Sequence, residues 1–153
     1  MVLRSDLLTG FKNKLFEIDI NDVDGFGITL VDNKLICSFT SKIVNNGFEI
    51  SGHIINTVLY DCDRCLESFC NKNKIKTNLL LSNDLGITDN EKYEIIYFSD
   101  HEDSVDLRKI LLEILIIEIP FKILCTNLCK GLCSVCGINL NHKPCSCSNK
   151  LYK

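Results

Sequence analysis

Alternating apolar and polar positions dominate the first eighty residues and predict a series of β-strands. The first two expected strands are residues 15–20 and 26–31, separated by a turn-forming stretch at 21–25 that is rich in Asn, Asp and Gly. A third strand follows over 34–44 and ends at Asn45-Asn46-Gly47. This triplet is typical of a tight hairpin turn, because Asn and Gly tolerate the positive φ that such turns need.

The second strand of this hairpin, residues 48–60, has one mostly apolar face. Its even positions hold most of the apolar side chains: Phe48, Ile50, Ile54, Val58 and Tyr60. The odd positions alternate outward, so we interpret His53 as a solvent-facing structural residue and not as a metal ligand. The chain then passes Cys62 and Cys65 at a strand-to-strand turn and returns as a strand over 69–82.

An apolar stripe with helical spacing follows an acidic segment. Residues 84–103 are rich in Asp and Glu and contain a short expected strand at 93–98. The stripe predicts a helix from Ser104 or Asp106 to about Glu118, ended by Pro120 and buried against the sheet. The positions that define the stripe are Leu107, Ile110, Leu111, Ile114 and Leu115.

The ten cysteines are the most specific chemical signal in the sequence. No export signal is recognisable, so we expect the thiols to stay reduced, and their paired spacing then points to metal binding. Four thiolates complete the tetrahedral shell of Zn²⁺. We therefore predict two zinc ions, one bound by Cys133, Cys136, Cys145 and Cys147 and the other by Cys62, Cys65, Cys125 and Cys129.

Two alternatives stay open for the ligand assignment. A single zinc site built from Cys62, Cys65, Cys133 and Cys136 is one, and replacement of a cysteine ligand by His142 is the other, although a plain polar role for His142 is favoured. The two remaining cysteines, Cys37 and Cys70, are interpreted as ordinary free thiols.

Together these features predict an α+β fold. We expect a curved antiparallel β-sheet or partial barrel with one long buried helix and a C-terminal zinc-binding tail. The expected division is a β-rich core domain with its C-terminal helix over 1–118 and a cysteine-rich zinc-binding tail over 119–153, packed on the core.

Charge and motif content argue against several classes of function. Residues 1–118 carry 12 basic and 20 acidic groups, whereas 119–153 carry five lysines and no acid. We find no paired catalytic carboxylates, no nucleophile with a base and no phosphate-binding loop, so we expect no enzyme, no catalytic or cofactor-binding residue and no small-molecule substrate. The apolar runs are too short for a membrane span. We expect a bacterial cytoplasmic protein, or a plastid stromal one if the gene is organellar.

A small set of basic residues forms a candidate RNA contact. Lys72, Lys74 and Lys76 are spaced by two on one strand and share a face. Arg64 and Lys130 lie in the segments that the zinc bound by Cys62, Cys65, Cys125 and Cys129 would join. Lysines suit phosphate contact better than base reading. The simpler interpretation of the lysine face is a solvated strand surface, and it is favoured because no aromatic residues are interleaved.

The cysteine segments resemble those of the YceD family, the large ribosomal RNA subunit accumulation proteins of bacteria and plastids. The resemblance rests on Cys62-Asp63-Arg64-Cys65-Leu66 and on three tail motifs: Cys129-Lys130-Gly131-Leu132-Cys133, Cys136-Gly137-Ile138-Asn139-Leu140-Asn141 and Cys145-Ser146-Cys147. It implies a non-enzymatic factor needed for 23S ribosomal RNA to accumulate, and hence for large-subunit biogenesis. The expected partner is 23S rRNA or its precursor, a large-subunit ribosomal protein, or both.

Two other classes of protein fit part of the pattern. A zinc-ribbon-like nucleic-acid-binding or transcription module would need a basic exposed face on its cysteine turn. A thiol redox or zinc-sensing protein would need an acidic, exposed thiol, because the thiolate is the reactive species.

Overall fold

The computed structural model describes residues 1–20, 29–84, 86–87 and 92–147. The turn predicted at 21–25, half of the strand predicted at 26–31 and part of the acidic segment at 84–103 therefore lie outside the described residues. In chain order the elements are β1 (Val2–Leu3), α1 (Arg4–Thr9), β2 (Phe11–Asp19), β3 (Thr29–Leu30), β4 (Lys34–Val44), β5 (Gly47–Asp61), β6 (Ser68–Ser82), β7 (Glu94–Tyr97), β8 (Ser104–Val105) and α2 (Arg108–Ile117).

The main sheet is open and mixed. Its strand order is β2-β4-β5-β6-β7, with β3 pairing to β5, so the sheet does not close into a barrel. β2, β4 and β5 pair antiparallel as predicted, but β7 lies parallel to β6, with Leu79 opposite Glu94. The purely antiparallel sheet expected from the sequence is therefore wrong at this edge, because the long connection after β6 brings the chain back in the same direction.

The predicted hairpin at 45–47 is confirmed, although its backbone differs from the expected one. Val44 pairs with Gly47, which leaves Asn45 and Asn46 as the two turn residues. Positive φ occurs at Gly47 (135°) and at neither Asn45 nor Asn46. A Cβ at Gly47 would lie 2.0 Å from the carbonyl oxygen of Leu81, so both its backbone conformation and this close approach require glycine.

The core lies on the apolar face predicted for β5. Ile50, Ile54 and Val58 are fully buried, together with residues of β4, β6 and α2 that include Phe39, Leu79, Leu81, Leu111 and Leu115. Glu49, predicted to face outward, is instead buried. Its carboxylate accepts a hydrogen bond from the Tyr93 hydroxyl at 2.8 Å and lies 3.2 Å from the Lys42 ammonium group, so the buried charge is compensated.

The predicted helix forms but is shorter than expected. It spans Arg108–Ile117, while Ser104 and Val105 pair with β1 as a strand. Asp106 accepts a hydrogen bond from the Arg108 amide at 3.0 Å just before the first turn. Only Leu111, Leu112 and Leu115 are buried within the helix. The long buried helix of the sequence prediction is therefore a ten-residue helix with one buried face.

The chain forms two compact units. The first consists of Met1–Val58 and Lys72–Ile119, and the second of Leu59–Asn71 and Pro120–Lys153, of which 120–147 are described. The second unit thus contains the first cysteine pair in addition to the cysteine-rich tail. None of the helices in the described ranges has the length and apolar character needed to cross a bilayer.

Candidate metal centres

The first cysteine group brings together residues that are about sixty positions apart in the sequence. The sulfur atoms of Cys62, Cys65, Cys125 and Cys129 all lie within 4.8 Å of one another. The Cys62–Cys129 and Cys65–Cys125 sulfur distances are both 3.7 Å. A zinc–sulfur bond of about 2.3 Å implies a tetrahedron edge of about 3.8 Å, so this spacing fits a four-thiolate zinc site.

The second group is built from the tail alone. The sulfur atoms of Cys133, Cys136, Cys145 and Cys147 also lie within 4.8 Å of one another. The eight cysteines thus gather into the two groups of four that the spacing predicted. The alternative site that combines Cys62 and Cys65 with Cys133 and Cys136 is not the arrangement seen, and His142 is a member of neither group.

The turn from Cys62 to Glu67 presents the first pair of thiols. The Cys62 amide donates to the Glu67 carbonyl at 3.0 Å, and the Leu66 amide donates back to the Cys62 carbonyl at 2.9 Å. Leu66 adopts a φ of 59°, the left-handed region that L-residues seldom visit. This backbone directs the thiols of Cys62 and Cys65 to the same side of the turn.

The turn from Cys133 to Ile138 repeats the same backbone pattern. The Cys133 amide donates to the Ile138 carbonyl at 2.8 Å, and the Gly137 amide donates to the Cys133 carbonyl at 2.9 Å. Gly137 has a φ of 70°, which glycine adopts without backbone strain, so it relieves the turn as predicted. It occupies the position that Leu66 has in the first turn. The two turns are a short structural repeat that the sequence analysis missed, because their sequences share only the Cys-x2-Cys spacing.

Main-chain and side-chain hydrogen bonds join the first turn to the segment after Pro120. The Asp63 amide donates to the Ile123 carbonyl at 2.8 Å, and the Ile123 amide donates to the Asp63 carboxylate at 2.7 Å. The Leu132 amide donates to the Arg64 carbonyl at 3.1 Å, and the Arg64 guanidinium donates to the Cys129 carbonyl at 2.8 Å. These bonds position Cys125 and Cys129 opposite the first pair of thiols.

The four thiols of each cysteine group differ in pKa because their surroundings differ. Burial opposes ionisation of Cys62, but backbone N–H groups around its sulfur lower its pKa to about 6. Backbone N–H groups likewise lower the pKa of Cys133 to about 6. Burial raises the pKa of Cys125 to about 12, and the hydrogen bond with Cys136 together with burial does the same for Cys147. Such crowded thiols ionise together only when a cation balances their charge.

Asn141 is a residue of this site that the sequence analysis did not single out. Its side-chain amide donates to the sulfur of Cys129 at 3.2 Å, and its side-chain oxygen accepts from the Lys130 amide at 2.7 Å. The bond from Asn141 is the main cause of a lowered Cys129 pKa. The next residue, His142, places its Nε2 2.5 Å from the Glu67 carboxylate, which fits the polar role favoured for it. The available signal for Asn141 in the sequence was its place in the tail motif Cys136-Gly137-Ile138-Asn139-Leu140-Asn141.

A family model decides how this cysteine arrangement is classified. The model described as large ribosomal RNA subunit accumulation protein YceD matches residues 50–152 and so includes all eight grouped cysteines. The chain belongs to the YceD family. The resemblance inferred from the cysteine motifs is therefore confirmed.

Curated relatives of this YceD chain agree with the family match. The chloroplastic YCED homolog 1 of Arabidopsis thaliana, named as a large ribosomal RNA subunit accumulation protein, is 28% identical over 127 residues, which cover 66% of this chain and 40% of that protein. An uncharacterized protein of Mycobacterium tuberculosis is 25% identical over 122 residues, covering 78% of this chain and 59% of that protein. The chain thus spans about half the length of these relatives. No solved structure matches it.

The candidate RNA-contact residues of the YceD chain lie in both units. Lys72, Lys74 and Lys76 are exposed on β6 and alternate with less exposed neighbours, which confirms that they share a solvent-facing side of the strand. Arg64 and Lys130 are exposed in the second unit, where the Arg64 guanidinium also holds the Cys129 carbonyl. The RNA-contact role of all five residues stays a prediction.

Metal content provides the first test of the two groups. The purified YceD chain is expected to contain two zinc ions, because each group supplies a complete set of four thiolates. Cys136→Ser or Cys145→Ser should each remove one ion, as measured by elemental analysis of protein dialysed against metal-free buffer. A content of one ion that is unchanged in Cys145→Ser would contradict the two-centre assignment.

Proposed function

We propose that this protein is a non-enzymatic factor required for 23S rRNA accumulation and large ribosomal subunit biogenesis. The family match over residues 50–152 carries the proposal, because it covers both cysteine turns and the segments that hold them. The proposed sites of action are the bacterial cytoplasm and, for an organellar chain, the plastid stroma. The proposed partner is precursor rRNA or an early large-subunit ribosomal protein, with no small-molecule substrate.

Zinc suits the two cysteine groups and implies a scaffold role. Sets of four thiolates at tetrahedral spacing are typical donors of structural zinc, and such closed sites leave no coordination position for a substrate. The first ion would join the turn at 62–65 to the segment at 125–129, and the second would close the tail on itself. Both ions would therefore preserve the shape of a binding surface and take no part in a reaction.

The charge of the loaded protein restricts where RNA could bind. Eight thiolates and two Zn²⁺ contribute about −4, which nearly offsets the five lysines of residues 119–153. The first 118 residues are strongly acidic overall. RNA contact must therefore be local, and we assign it to the phosphate backbone through Lys72, Lys74 and Lys76, together with Arg64 and Lys130 at the first centre. The acidic segment at 84–103 is the corresponding candidate surface for a basic ribosomal protein.

The repeated cysteine turn favours one second candidate, a zinc-ribbon-like nucleic-acid-binding or transcription module. That function needs a basic face on the turns. The first turn carries Arg64 beside Asp63, and the second carries uncharged Ser134 and Val135, so neither is strongly basic. A thiol redox function is less well supported at Cys62, which is acidic but fully buried, whereas reactive thiols are acidic and exposed. The half-buried Cys133, whose pKa is also about 6, is the thiol that would serve such a function.

Depletion of the protein in its own organism tests the proposed function directly. We expect the ratio of 23S to 16S rRNA to fall, because a factor for large-subunit rRNA acts on only one of the two subunits. The ratio is measured by electrophoresis of total RNA, and re-expression of the parent chain is the control. A ratio that stays constant while growth or transcription changes would favour the zinc-ribbon candidate.

A further inference from the structure

The side chain of Asn141 contacts the first cysteine group although Asn141 belongs to the loop of the second. It lies between Cys136 and Cys145, so both ends of its loop are attached to the second group. Its amide nitrogen donates to the Cys129 sulfur at 3.2 Å, and its amide oxygen accepts from the Lys130 amide at 2.7 Å. The second bond fixes the orientation of the amide, because a flipped amide would direct its oxygen at the thiolate.

Other hydrogen bonds hold this loop against the first group. The Leu140 backbone amide donates to the Gly131 carbonyl at 2.9 Å. Within the loop itself, the backbone amide of Asn141 donates to the side-chain oxygen of Asn139 at 2.9 Å. His142 contacts Glu67, which closes the first cysteine turn. All these residues lie in the second compact unit. The position of Asn141 thus depends on a loop whose ends the second group defines.

We propose that Asn141 is a positioning residue that couples the two metal centres. Zinc at the second centre holds the loop in the conformation that directs the Asn141 amide at Cys129, and the first centre then binds zinc more tightly. This inference rests on the zinc binding put forward under the proposed function. The coupling is reciprocal, so zinc at the first centre raises the affinity of the second by the same factor.

The physical basis is a hydrogen bond that holds a metal ligand in its binding orientation. An N–H group that donates to a ligating sulfur offsets part of the negative charge of the bound ligand and fixes the direction of the sulfur, so the site is preorganised for the ion. Loss of such outer contacts typically lowers metal affinity about 10- to 100-fold. When the second centre is empty, its loop has more conformational freedom, and directing the amide at Cys129 then costs entropy.

The experiment compares variants of the full chain by zinc competition with a chromophoric chelator. In the titration of the parent, the zinc-binding step that is absent from the Cys65→Ser variant belongs to the first centre, and this step gives the affinity of that centre. Asn141→Ala and Cys145→Ser are each expected to lower this affinity roughly 10-fold. The zinc affinity of the first centre in the double variant should be no lower than in the single variant that binds more weakly, because both changes remove the same contact. Asn127→Ala, which alters an exposed amide two residues from Cys129, is the matched control and should match the parent.

Two further measurements separate positioning from general stability. Asn141→Asp keeps the size and the acceptor but removes the donor, so it should also weaken the first centre. Cobalt(II) bound at the first centre should show a shifted sulfur-to-metal charge-transfer band in Asn141→Ala and an unshifted one in Asn127→Ala. Unchanged zinc affinity in Asn141→Asp and Cys145→Ser, or losses that multiply in the double variant, would overturn the coupling. Absence of zinc from both centres of the parent would instead overturn the proposed zinc binding itself.

Discussion

Replacement of Cys65 by serine is expected to remove one zinc ion per chain and to lower the free energy of unfolding far more than replacement of Cys147. Cys65 is buried in an apolar cluster with Cys62 and Cys129, and its partner Cys125 lies 60 positions away. The second centre closes a loop of only nine positions between Cys136 and Cys145. The entropy of loop closure alone makes the first centre stabilise the folded chain by about 1.7 kcal/mol more than the second.

The full difference should exceed this value, because Cys65→Ser leaves the remaining cysteines of a mostly buried group without the ion that joins their segments, whereas the second group is more exposed. Urea unfolding followed by circular dichroism, together with zinc analysis, measures both effects. Cys70→Ser is the matched control, since Cys70 is exposed and belongs to neither group. Equal stability of the Cys65→Ser and Cys147→Ser chains would contradict a long-range role for the first ion.

Replacement of Lys72, Lys74 and Lys76 by glutamine is expected to weaken binding to precursor rRNA across unrelated sequences. Each lysine that contacts a phosphate displaces a counterion, so loss of three contacts should flatten the slope of log K against log salt by about 2. Zinc content should stay at the parent value, because the three side chains are exposed on β6 and outside both cysteine groups. Filter binding or fluorescence anisotropy over a range of salt concentrations gives the slope.

A second triple variant controls for the change in net charge. Lys12, Lys34 and Lys109 are exposed in the same compact unit, and their replacement by glutamine removes the same charge from other elements. RNA binding of this control should retain the parent slope. If the β6 variant binds RNA as the parent does at every salt concentration, the lysine face is a solvated surface. The acidic segment at 84–103 then becomes the first surface to test for binding to a ribosomal protein.

Local patterns in the sequence determined the central hairpin and the division of the cysteines. Side-chain alternation in a strand has a period of two, so the buried face of β5 could be identified from its even positions. The cysteine spacing predicted both groups because a tetrahedral ion needs four donors and closely spaced cysteine pairs, two of them Cys-x2-Cys, supply two donors each. The buried face of β5 depends on neighbours in the chain, whereas the grouping of Cys62 and Cys65 with the distant Cys125 and Cys129 followed from the four-donor requirement of the ion.

Contacts between distant segments decided the rest. The burial of Glu49 is compensated by Tyr93, which is 44 positions away, in addition to its cross-strand neighbour Lys42. The helix α2 begins late because Ser104 and Val105 pair with β1. Hydropathy patterns do not contain such partners. Hydropathy also does not predict the hydrogen bond from Asn141 to Cys129, because this bond forms only when the loop between Cys136 and Cys145 packs against the first centre. Local periodicity records which side of an element is apolar, whereas a hydrogen bond between remote residues depends on the three-dimensional path of the whole chain.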